Sequence, residues 1–319
     1  MRALLLYLAL AASPAWALPE ASPDAMLRDH LWRELTRLPK GERPTVGLAL
    51  SAGALRGLAH VGVLQVLEDA GFPIDVVAGT SMGAVIGSFY SAGIPVSRLW
   101  TIRDRVHIGS GSNYSTVRLL TLVLADRLLS TVNMERIIRD ELGDIHFHQL
   151  AKPFGCVAMD LKTGEKIVFR SGPIAPAVRA SMNLPGIFEP VMYRHRYLVD
   201  GGVVDYIPAD VARLLGADWV LASVTEGDYT DFKPRNVLNM LEQVIDIRGA
   251  LLSREQRKLA DALIEPAVGD IDYYQTRRAG EAMDKGVLAA KEKLPRIQEQ
   301  YIEFSLPRLL RRWQPGAKP

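Results

Sequence analysis

Ser81 lies in the pentapeptide GTSMG, with Gly79 and Gly83 two positions away on either side. The preceding stretch IDVVAG is short, apolar and rich in β-branched residues, which predicts a buried strand. The following stretch MGAVIGSFYSAG combines apolar and small residues and predicts a tightly packed helix. A serine on a strand-to-helix turn between two such glycines is the pattern of a nucleophile elbow. Ser81 is therefore a candidate nucleophile, and the chemistry requires a base and an oxyanion site elsewhere in the chain.

A glycine-rich turn, SAGALRG, follows the first predicted strand, PTVGLALS. Its glycines, Gly53 and Gly57, do not complete G-x-G-x-x-G, and no Gly-Lys-Ser/Thr follows, so the turn is neither a dinucleotide fingerprint nor a P-loop. Such a turn can direct backbone N–H groups towards an oxyanion that forms on a carbonyl attacked by Ser81. We expect Arg56 to open the next helix and to brace this loop. A tight turn without a ligand is the alternative.

Two arrangements can supply the base. Asp200, in YLVDGG, follows an apolar strand, and the carboxyl ends of parallel strands are where sites form. A free aspartate has a pKa of about 3.9, so burial would have to raise the basicity of Asp200. The alternative is a triad of Ser81, Asp160 and His195. His195 lies between two arginines in an alternating stretch, which predicts a solvent-facing strand position.

The composition is that of a globular protein without a strong overall charge. The 319 residues are 48% hydrophobic and 23% charged, with a formal net charge of +2, so no basic field indicates nucleic acid. The single cysteine, Cys156, excludes an intramolecular disulfide and a cysteine-based zinc site, and its apolar context predicts a buried strand position. His146 and His148 alternate as in a strand, and no carboxylate cluster nearby indicates a metal site. We expect neither a metal nor an organic cofactor.

The N-terminus has the pattern of a secretory signal. Arg2 precedes an apolar run over 4–12, and the tripeptide AWA ends at Ala17. The run is too short for a spanning helix, so the pattern predicts a signal peptide over residues 1–17 that is cleaved after Ala17. We therefore expect an exported protein, periplasmic or secreted, and soluble or peripheral to a membrane. An uncleaved membrane anchor is the alternative.

The rest of the chain divides by composition into three parts. Residues 18–43 form a polar lead-in with a predicted helix in MLRDHLWRELTRL. Residues 44–232 alternate between strand and helix patterns, which predicts a parallel sheet covered by helices. Residues 233–319 are helical and charged and end in a basic tail, and we assign them to the outer layer of the same domain. The predicted fold class is a three-layer α/β/α arrangement with a central, mostly parallel sheet.

Together these motifs resemble one family. LSAGALRGLAHVGVL, GTSMG and DGG, in this order and spacing, are similar to the patatin-like phospholipases, including bacterial members related to the catalytic domain of neuropathy target esterase. RASMNLPGIFEPV and DGGVVDYIPADVAR match later blocks of the family. The similarity is strong over 45–224 and loose in the helical C-terminal third. Four blocks in register are more specific than any single motif.

The resemblance implies a patatin-like fold and a catalytic dyad of Ser81 and Asp200. It also implies an oxyanion hole in the first glycine-rich loop, formed by Gly53, Ala54, Arg56 and Gly57. The chain departs from the family's run of glycines, because alanine stands at positions 52 and 54. Where such a position requires a positive φ, alanine costs about 1 kcal/mol and can misdirect an N–H group.

The family's activity implies a serine hydrolase of lipid acyl esters, of phospholipase A or lysophospholipase type, with an acyl-serine intermediate. Its substrates would be phospholipids or lysophospholipids. A non-catalytic lipid- or protein-binding module and a general carboxylesterase are the alternatives. The leucine-rich stretch 114–132 and the basic stretch 306–313 are candidates for peripheral membrane contact, with a packed helix and a solvated tail as the respective alternatives.

Overall fold

The computed structural model describes residues 22–102, 131–230, 232–233, 237–273 and 275–313. The predicted signal peptide, residues 1–17, lies outside this part of the chain. Most of the leucine-rich stretch 114–132 lies outside it as well. Both therefore stay predictions.

The centre of the molecule is a sheet of eight strands within the described residues. The strands are β1 (Val46–Leu50), β2 (Val76–Thr80), β3 (Phe154–Asp160), β4 (Lys166–Phe169), β5 (Val191–Tyr193), β6 (Arg196–Asp200), β7 (Trp219–Ser223) and β8 (Ala262–Ile264). Their order is β5-β6-β3-β2-β1-β7-β8, and β4 pairs with β3 outside this path. Four pairs of neighbouring strands are parallel: β3–β2, β2–β1, β1–β7 and β7–β8. The pairs β3–β4, β3–β6 and β5–β6 are antiparallel.

Helices cover both faces of the sheet. They are α1 (Pro23–Arg37), α2 (Ala59–Asp69), α3 (Met82–Ser91), α4 (Val96–Ile102), α5 (Val132–Leu142), α6 (Ile174–Ser181), α7 (Ala209–Leu214), α8 (Val237–Gln256) and α9 (Ala279–Trp313). Along β1, Leu48 and Leu50 join the core formed with α2, α3, α6 and α9, whereas Ala49 joins a second core formed with α7. Alternate side chains of one strand thus enter opposite cores. The predicted three-layer α/β/α fold with a mostly parallel sheet is confirmed.

The strands at the centre of the sheet are buried along their whole length, because helices cover both of its faces. Every residue of β1, β2 and β7 is buried, and each strand is a nearly continuous apolar run. This is the sequence pattern of parallel strands covered by helices on both sides. Cys156 is fully buried in β3, as predicted.

Two local predictions were wrong. The stretch YRHRYLVDGG forms a hairpin of β5 and β6, because Arg194 and His195 adopt positive φ angles of 45° and 65°. Two consecutive residues in this region make a tight hairpin turn whose twist matches that of the strands. His195 is therefore an exposed turn residue rather than a strand residue. The alternating pattern at His146 and His148 forms a short 3₁₀ turn, Phe147–Gln149.

The last helix packs on the body of the molecule. Gly62 of α2 and Gly286 of α9 lie so close to the backbone of the opposite helix that a β-carbon at either position would overlap a carbonyl group. Near the C-terminal end of α9, Leu309 is buried and Arg308 pairs with Asp218 at 3.1 Å. In the stretch 306–313, membrane contact stays a prediction. None of the described helices combines the length and apolarity needed to cross a membrane.

A buried ion pair fixes the start of the sheet. The guanidinium group of Arg43 donates to both carboxylate oxygens of Asp75, at 2.6 and 2.9 Å, and the Val46 N–H donates to the same carboxylate at 2.9 Å. Burial alone would raise the pKa of Asp75, but the hydrogen bonds from Arg43 and Val46 hold it below its usual value. The ionised carboxylate therefore stabilises the fold.

We expect Asp75→Asn to lower the free energy of unfolding at pH 7 by about 3–5 kcal/mol, because it leaves the buried charge of Arg43 without a counter-charge. The depressed pKa means that this contribution is present above about pH 4 and is lost as Asp75 becomes protonated in acid. Urea unfolding at several pH values measures it. Glu34→Gln is the control, because this side chain is half-buried and has only a surface pairing with Arg37 at 3.7 Å, and it should change stability by less than about 0.5 kcal/mol. A loss below about 1 kcal/mol in Asp75→Asn would contradict the assignment.

Candidate active site

Ser81 forms a sharp turn between β2 and α3. It is the N-cap residue of α3, with φ 55° and ψ −121°, a conformation that few non-glycine residues adopt. A β-carbon at Gly79 would overlap the backbone of Gly83, and one at Gly83 would overlap the Leu50 carbonyl. Both positions therefore require glycine. The strand, the strained serine and the helix together have the geometry of a nucleophile elbow.

Asp200 reaches Ser81 through an unusual arrangement of strands. Thr80 at the end of β2 pairs with Val157 of β3, and Asp200 at the end of β6 pairs with the next residue, Ala158. β4 pairs with β3 residues that also pair with β2 and with β6, so β4 must lie along the opposite edge of β3. β2 and β6 therefore share the remaining edge and run towards each other along it. Asp200 thus ends an antiparallel strand, and our expectation of a parallel one was wrong. The two strand ends meet at the site.

Burial controls the ionisation of Asp200, which is 2% exposed. Its Oδ1 accepts the Gly202 N–H at 2.7 Å, whereas Oδ2 accepts no hydrogen bond of regular geometry from the described residues. Burial raises the pKa of Asp200 to about 7, although the nearby Ser81 hydroxyl and the Gly202 N–H both favour the charged form. A large fraction of the group is therefore ionised near neutral pH, and it can accept a proton.

The last residue of α6 and the segment that follows it hold both members of the dyad. The Ser81 N–H donates to the Ser181 hydroxyl at 3.0 Å, and the Asp200 N–H donates to the Asn183 carbonyl at 2.8 Å. Ser181 and Asn183 are both fully buried. Both residues lie in the block RASMNLPGIFEPV, which resembles the family, but neither was assigned a role from the sequence. Their signal was two polar residues in an otherwise apolar block.

The glycine-rich loop lies against Ser81. It turns into a 3₁₀ helix, Ala54–Leu58, and Gly53 and Ala54 line the same cavity as Ser81. The Ala52 N–H already donates to the Tyr206 carbonyl at 2.9 Å. The N–H groups at a helix start have no acceptor within the helix, so those of Gly53 and Ala54 are the candidates for binding an oxyanion.

Of the two alanines in this loop, only Ala54 is strained. Its φ is +48°, whereas that of Ala52 is not positive. The cost of about 1 kcal/mol therefore applies at Ala54. Gly53 has no room for a side chain, because a β-carbon there would overlap Thr225. Gly57 lies against Met82, so the loop packs directly on the start of α3.

Arg56 braces the loop from within the protein. It is 3% exposed, donates to Asp246 of α8 at 2.7 Å, and lies over the Tyr273 ring, 5.0 Å from its centre. The Tyr273 hydroxyl donates to the same Asp246 oxygen at 2.8 Å. Burial opposes the charge of Arg56, but Asp246 raises its pKa above the usual value. The bracing expected of Arg56 is present, although α2 begins only at Ala59.

The cavity at Ser81 is a narrow cleft of ≈ 300 Å³, counted out to open solvent. It is lined by Ala52, Gly53, Ala54, Ser81, Leu184, Asp200, Gly202, Tyr206, Ile245, Asp246 and Tyr273. Beside it lies an apolar cluster of Leu184, Ile187, Phe188 and Tyr273, packed against Leu241 and Ile245 of α8. The cleft therefore has a polar end at the dyad and an apolar wall. Asp246 and Tyr273 were not predicted as site residues, because they lie in the part of the chain that resembles the family only loosely.

The histidines of the described residues lie elsewhere. None of them lines the cleft. Asp160 pairs with Arg196 at 3.0 Å, and His195 is in the exposed hairpin turn, so the alternative triad of Ser81, Asp160 and His195 is not assembled. His60 is fully buried between Ser223 and the Ser51 carbonyl, and burial lowers its pKa to about 4. Within the described residues, no cluster of histidine, cysteine or carboxylate side chains is suited to a metal.

Two solved structures match this chain over most of its length. VipD from Legionella pneumophila matches with a TM-score of 0.47 and 14% identity, covering 83% of this chain and 67% of that one. Human GIVD cytosolic phospholipase A2 matches with a TM-score of 0.46 and 13% identity, covering 87% and 63%. These similarities are low in sequence and moderate in structure.

Sequence relatives are closer. Two uncharacterised NTE family proteins, from Mycobacterium bovis and Mycobacterium tuberculosis, are each 32% identical over 221 residues, which cover 67% of this chain and 59% of the relative. The lysophospholipase nte1 of Aspergillus fumigatus is 32% identical over 190 residues, 60% of this chain and 12% of that protein. This chain thus spans about three fifths of the length of its mycobacterial relatives.

The family model for patatin-like phospholipases matches residues 48–213. This range contains the glycine-rich loop, the elbow at Ser81 and the strand that ends at Asp200. The match covers more than half of the chain and includes Ser81, Asp200 and the glycine-rich loop, whereas the cleft residues of α8 and Tyr273 lie beyond it. The protein belongs to the patatin-like phospholipase family.

Proposed function

We propose that this protein is a serine hydrolase of lipid acyl esters, of phospholipase A or lysophospholipase type, in which Ser81 and Asp200 form a dyad. The observation that carries the proposal is the meeting of Ser81 and Asp200 in one cleft, at the facing ends of β2 and β6. Burial raises the pKa of the Asp200 carboxyl group there to about 7. A carboxylate with its ordinary pKa is a poor base for a serine hydroxyl, whereas one titrating near neutral pH is matched to the task. Family membership supports lipid esters as the substrate class.

The reaction proceeds in two acyl-transfer steps. Asp200 accepts the Ser81 proton as the serine oxygen bonds to the ester carbonyl carbon, and the carbonyl oxygen becomes an oxyanion. The N–H groups of Gly53 and Ala54 hold that oxygen. The tetrahedral intermediate then collapses, the carbon–oxygen bond to the alcohol breaks, and the alcohol leaves with the proton from Asp200. Water repeats the sequence on the acyl-serine, releases the fatty acid and restores Ser81.

The surrounding structure supports this chemistry electrostatically. Ser81 caps the ten-residue helix α3, whose N-terminus carries positive potential and favours the developing negative charge. Backbone donors are fixed before the reaction, so they need no reorganisation when the charge forms. The scheme uses no metal or organic cofactor.

The apolar wall beside the dyad suits an acyl chain. Leu184 and Ile245 line the cleft, and the cluster behind them is apolar. A fatty acyl chain placed there would bury its surface at about 25 cal/mol per Å² while its ester reaches Ser81. The name of the Aspergillus fumigatus relative supports lysophospholipids as the first substrates to test. The N-terminal signal pattern favours action outside the cytoplasm, in the periplasm or after secretion.

We expect Ser81→Ala to abolish fatty-acid release from phospholipid and lysophospholipid vesicles, by at least about 10³-fold, because the acyl acceptor is removed. Ser81 should also react covalently with a fluorophosphonate probe in the unaltered protein. Ser97→Ala, at an exposed serine of α4, is the matched control and should retain full activity. Release that survives in Ser81→Ala would exclude Ser81 as nucleophile. Absence of both release and labelling in the unaltered protein would favour the non-catalytic binding module, and labelling with release from soluble esters alone would favour a general carboxylesterase.

We expect kcat/KM to rise with pH and to level off above about pH 7, because only the ionised Asp200 accepts a proton. Asp200→Asn should lose at least about 10³-fold in activity above about pH 7, and its residual activity should lack the rise with pH. A pH series of initial rates with a soluble ester measures both effects. Asp69→Asn, at an exposed position, should behave like the unaltered protein.

Asp200→Asn, which lowers activity, should make the protein more stable relative to the unaltered one as the pH rises. The pKa of Asp200 is raised on folding, so its carboxyl group favours the folded state below about pH 4 and loses that contribution as the pH rises through about 7. The uncharged Asn has no such loss. The Tm of Asp200→Asn relative to the unaltered protein should therefore increase between pH 4 and pH 8. A constant difference across this range would show that Asp200 is not desolvated in the folded state.

A further inference from the structure

Helix α8 exposes a continuous apolar stripe to solvent. Its members recur at intervals of three and four residues, so they lie on one side of the helix. They are Val237, Met240, Val244, Ile247 and Leu251, with exposed fractions of 82%, 53%, 62%, 39% and 50%. We call these five residues the α8 stripe. Single exposed apolar residues are common on protein surfaces, whereas five in one row mark a surface that binds something.

The opposite side of α8 belongs to the active site. Ile245 and Asp246 line the cleft, and Leu241 packs on the apolar cluster beside it. Asp246 also accepts the hydrogen bond from Arg56 in the oxyanion loop, at 2.7 Å. One helix therefore separates the cleft from solvent and carries the stripe on its outer side. A partner bound to the stripe would lie within one helix diameter of the cleft, about 10 Å.

The charges beside the stripe are mainly positive. Besides the stripe, the exposed residues among the described side chains of α8 are Arg248, Arg254 and Glu255. Lys258 follows the helix and pairs with Glu255 at 2.6 Å, so the two arginines carry the net positive charge. The acidic residues Glu242 and Asp246 lie on the inner side, where Glu242 is buried and Asp246 is paired with Arg56. An apolar row flanked by arginines is the pattern of a helix that lies in the surface of an anionic membrane.

We propose that the α8 stripe docks this protein on anionic lipid surfaces, with the cleft held next to the lipid from which substrate enters. The proposal rests on the proposed function for the identity of the substrate. A second copy of the chain fits the stripe less well, because the stripe spans two heptads, about 21 Å, and a coiled-coil seam normally needs three to four. Arginines on the rim also favour an anionic surface over an identical, equally cationic one.

The test compares Val244→Glu/Leu251→Glu with a matched control, Leu214→Glu/Leu288→Glu, which alters apolar residues that are 54% and 67% exposed on other helices. Glutamate is a good helix former, so neither variant should unfold its helix. Both are made in the Ser81→Ala protein, so that hydrolysis does not change the vesicles. Flotation then measures partitioning onto phosphatidylcholine vesicles with and without about 30% phosphatidylglycerol.

We expect the stripe variant to partition onto the anionic vesicles at least about tenfold more weakly than the control, with less binding to neutral vesicles in every protein. With Ser81 restored, the stripe variant should lose vesicle hydrolysis to the same extent but retain hydrolysis of a soluble short-chain ester. Equal partitioning of the stripe variant and the control would overturn the proposal. The proposal would also be overturned if light scattering showed that the control is a dimer and the stripe variant a monomer, while the two bind vesicles equally.

The same proteins separate this proposal from the proposed function. If the unaltered protein hydrolyses no ester but binds anionic vesicles through the stripe, the docking surface stands and the hydrolase assignment fails. If it releases fatty acid from vesicles but the stripe variant and the control partition onto those vesicles equally, the hydrolase assignment stands and the docking surface fails.

Discussion

The site depends on two strands that end face to face along one edge of β3. Thr80 of β2 and Asp200 of β6 pair with the adjacent β3 residues Val157 and Ala158, so the chain must leave the sheet at the same place from two directions. The sharp turn at Ser81 carries the hydroxyl out of the strand, and the carboxyl group ends the opposing strand beside it. Because backbone hydrogen bonds fix both registers, the distance between nucleophile and base is set by the sheet rather than by flexible side chains.

The oxyanion loop is held by a different principle. Its N–H groups are useful only if their direction is fixed before the reaction, and the loop has one residue, Ala54, in a strained conformation. The buried Arg56 supplies the constraint, since its charge is tolerated in the interior only while Asp246 pairs with it. The energy that would be lost on breaking this pair keeps the loop against α8. The position of the loop and the position of α8 are therefore coupled.

Features of the fold and the site that depend on residues close together in the chain could be predicted from the sequence, whereas those that depend on distant residues could not. The elbow, the glycine-rich loop and the alternation of strands with helices are written in local patterns, and these were predicted. The antiparallel direction of β6 was not predicted, because it depends on the hairpin turn at Arg194 and His195. Both residues have positive φ, but neither is a glycine, so the sequence gives no signal of the turn. Asp246 was missed because its partner, Arg56, is 190 residues away in the chain, and nothing in α8 alone distinguishes a tethering carboxylate from a solvated one.

Burial has opposite effects on the chemistry and on the fold at Asp200. Transferring the carboxyl group from water destabilises its charged form, which raises its pKa and makes it a better base near neutral pH. The same desolvation costs stability whenever the group is ionised, so the fold must compensate elsewhere. The Arg43–Asp75 pair shows the contrasting case, since there the hydrogen bonds to the carboxylate outweigh burial and the ionised form stabilises the protein. Two buried aspartates of one sheet thus differ in role because one has a guanidinium partner and the other has a serine hydroxyl.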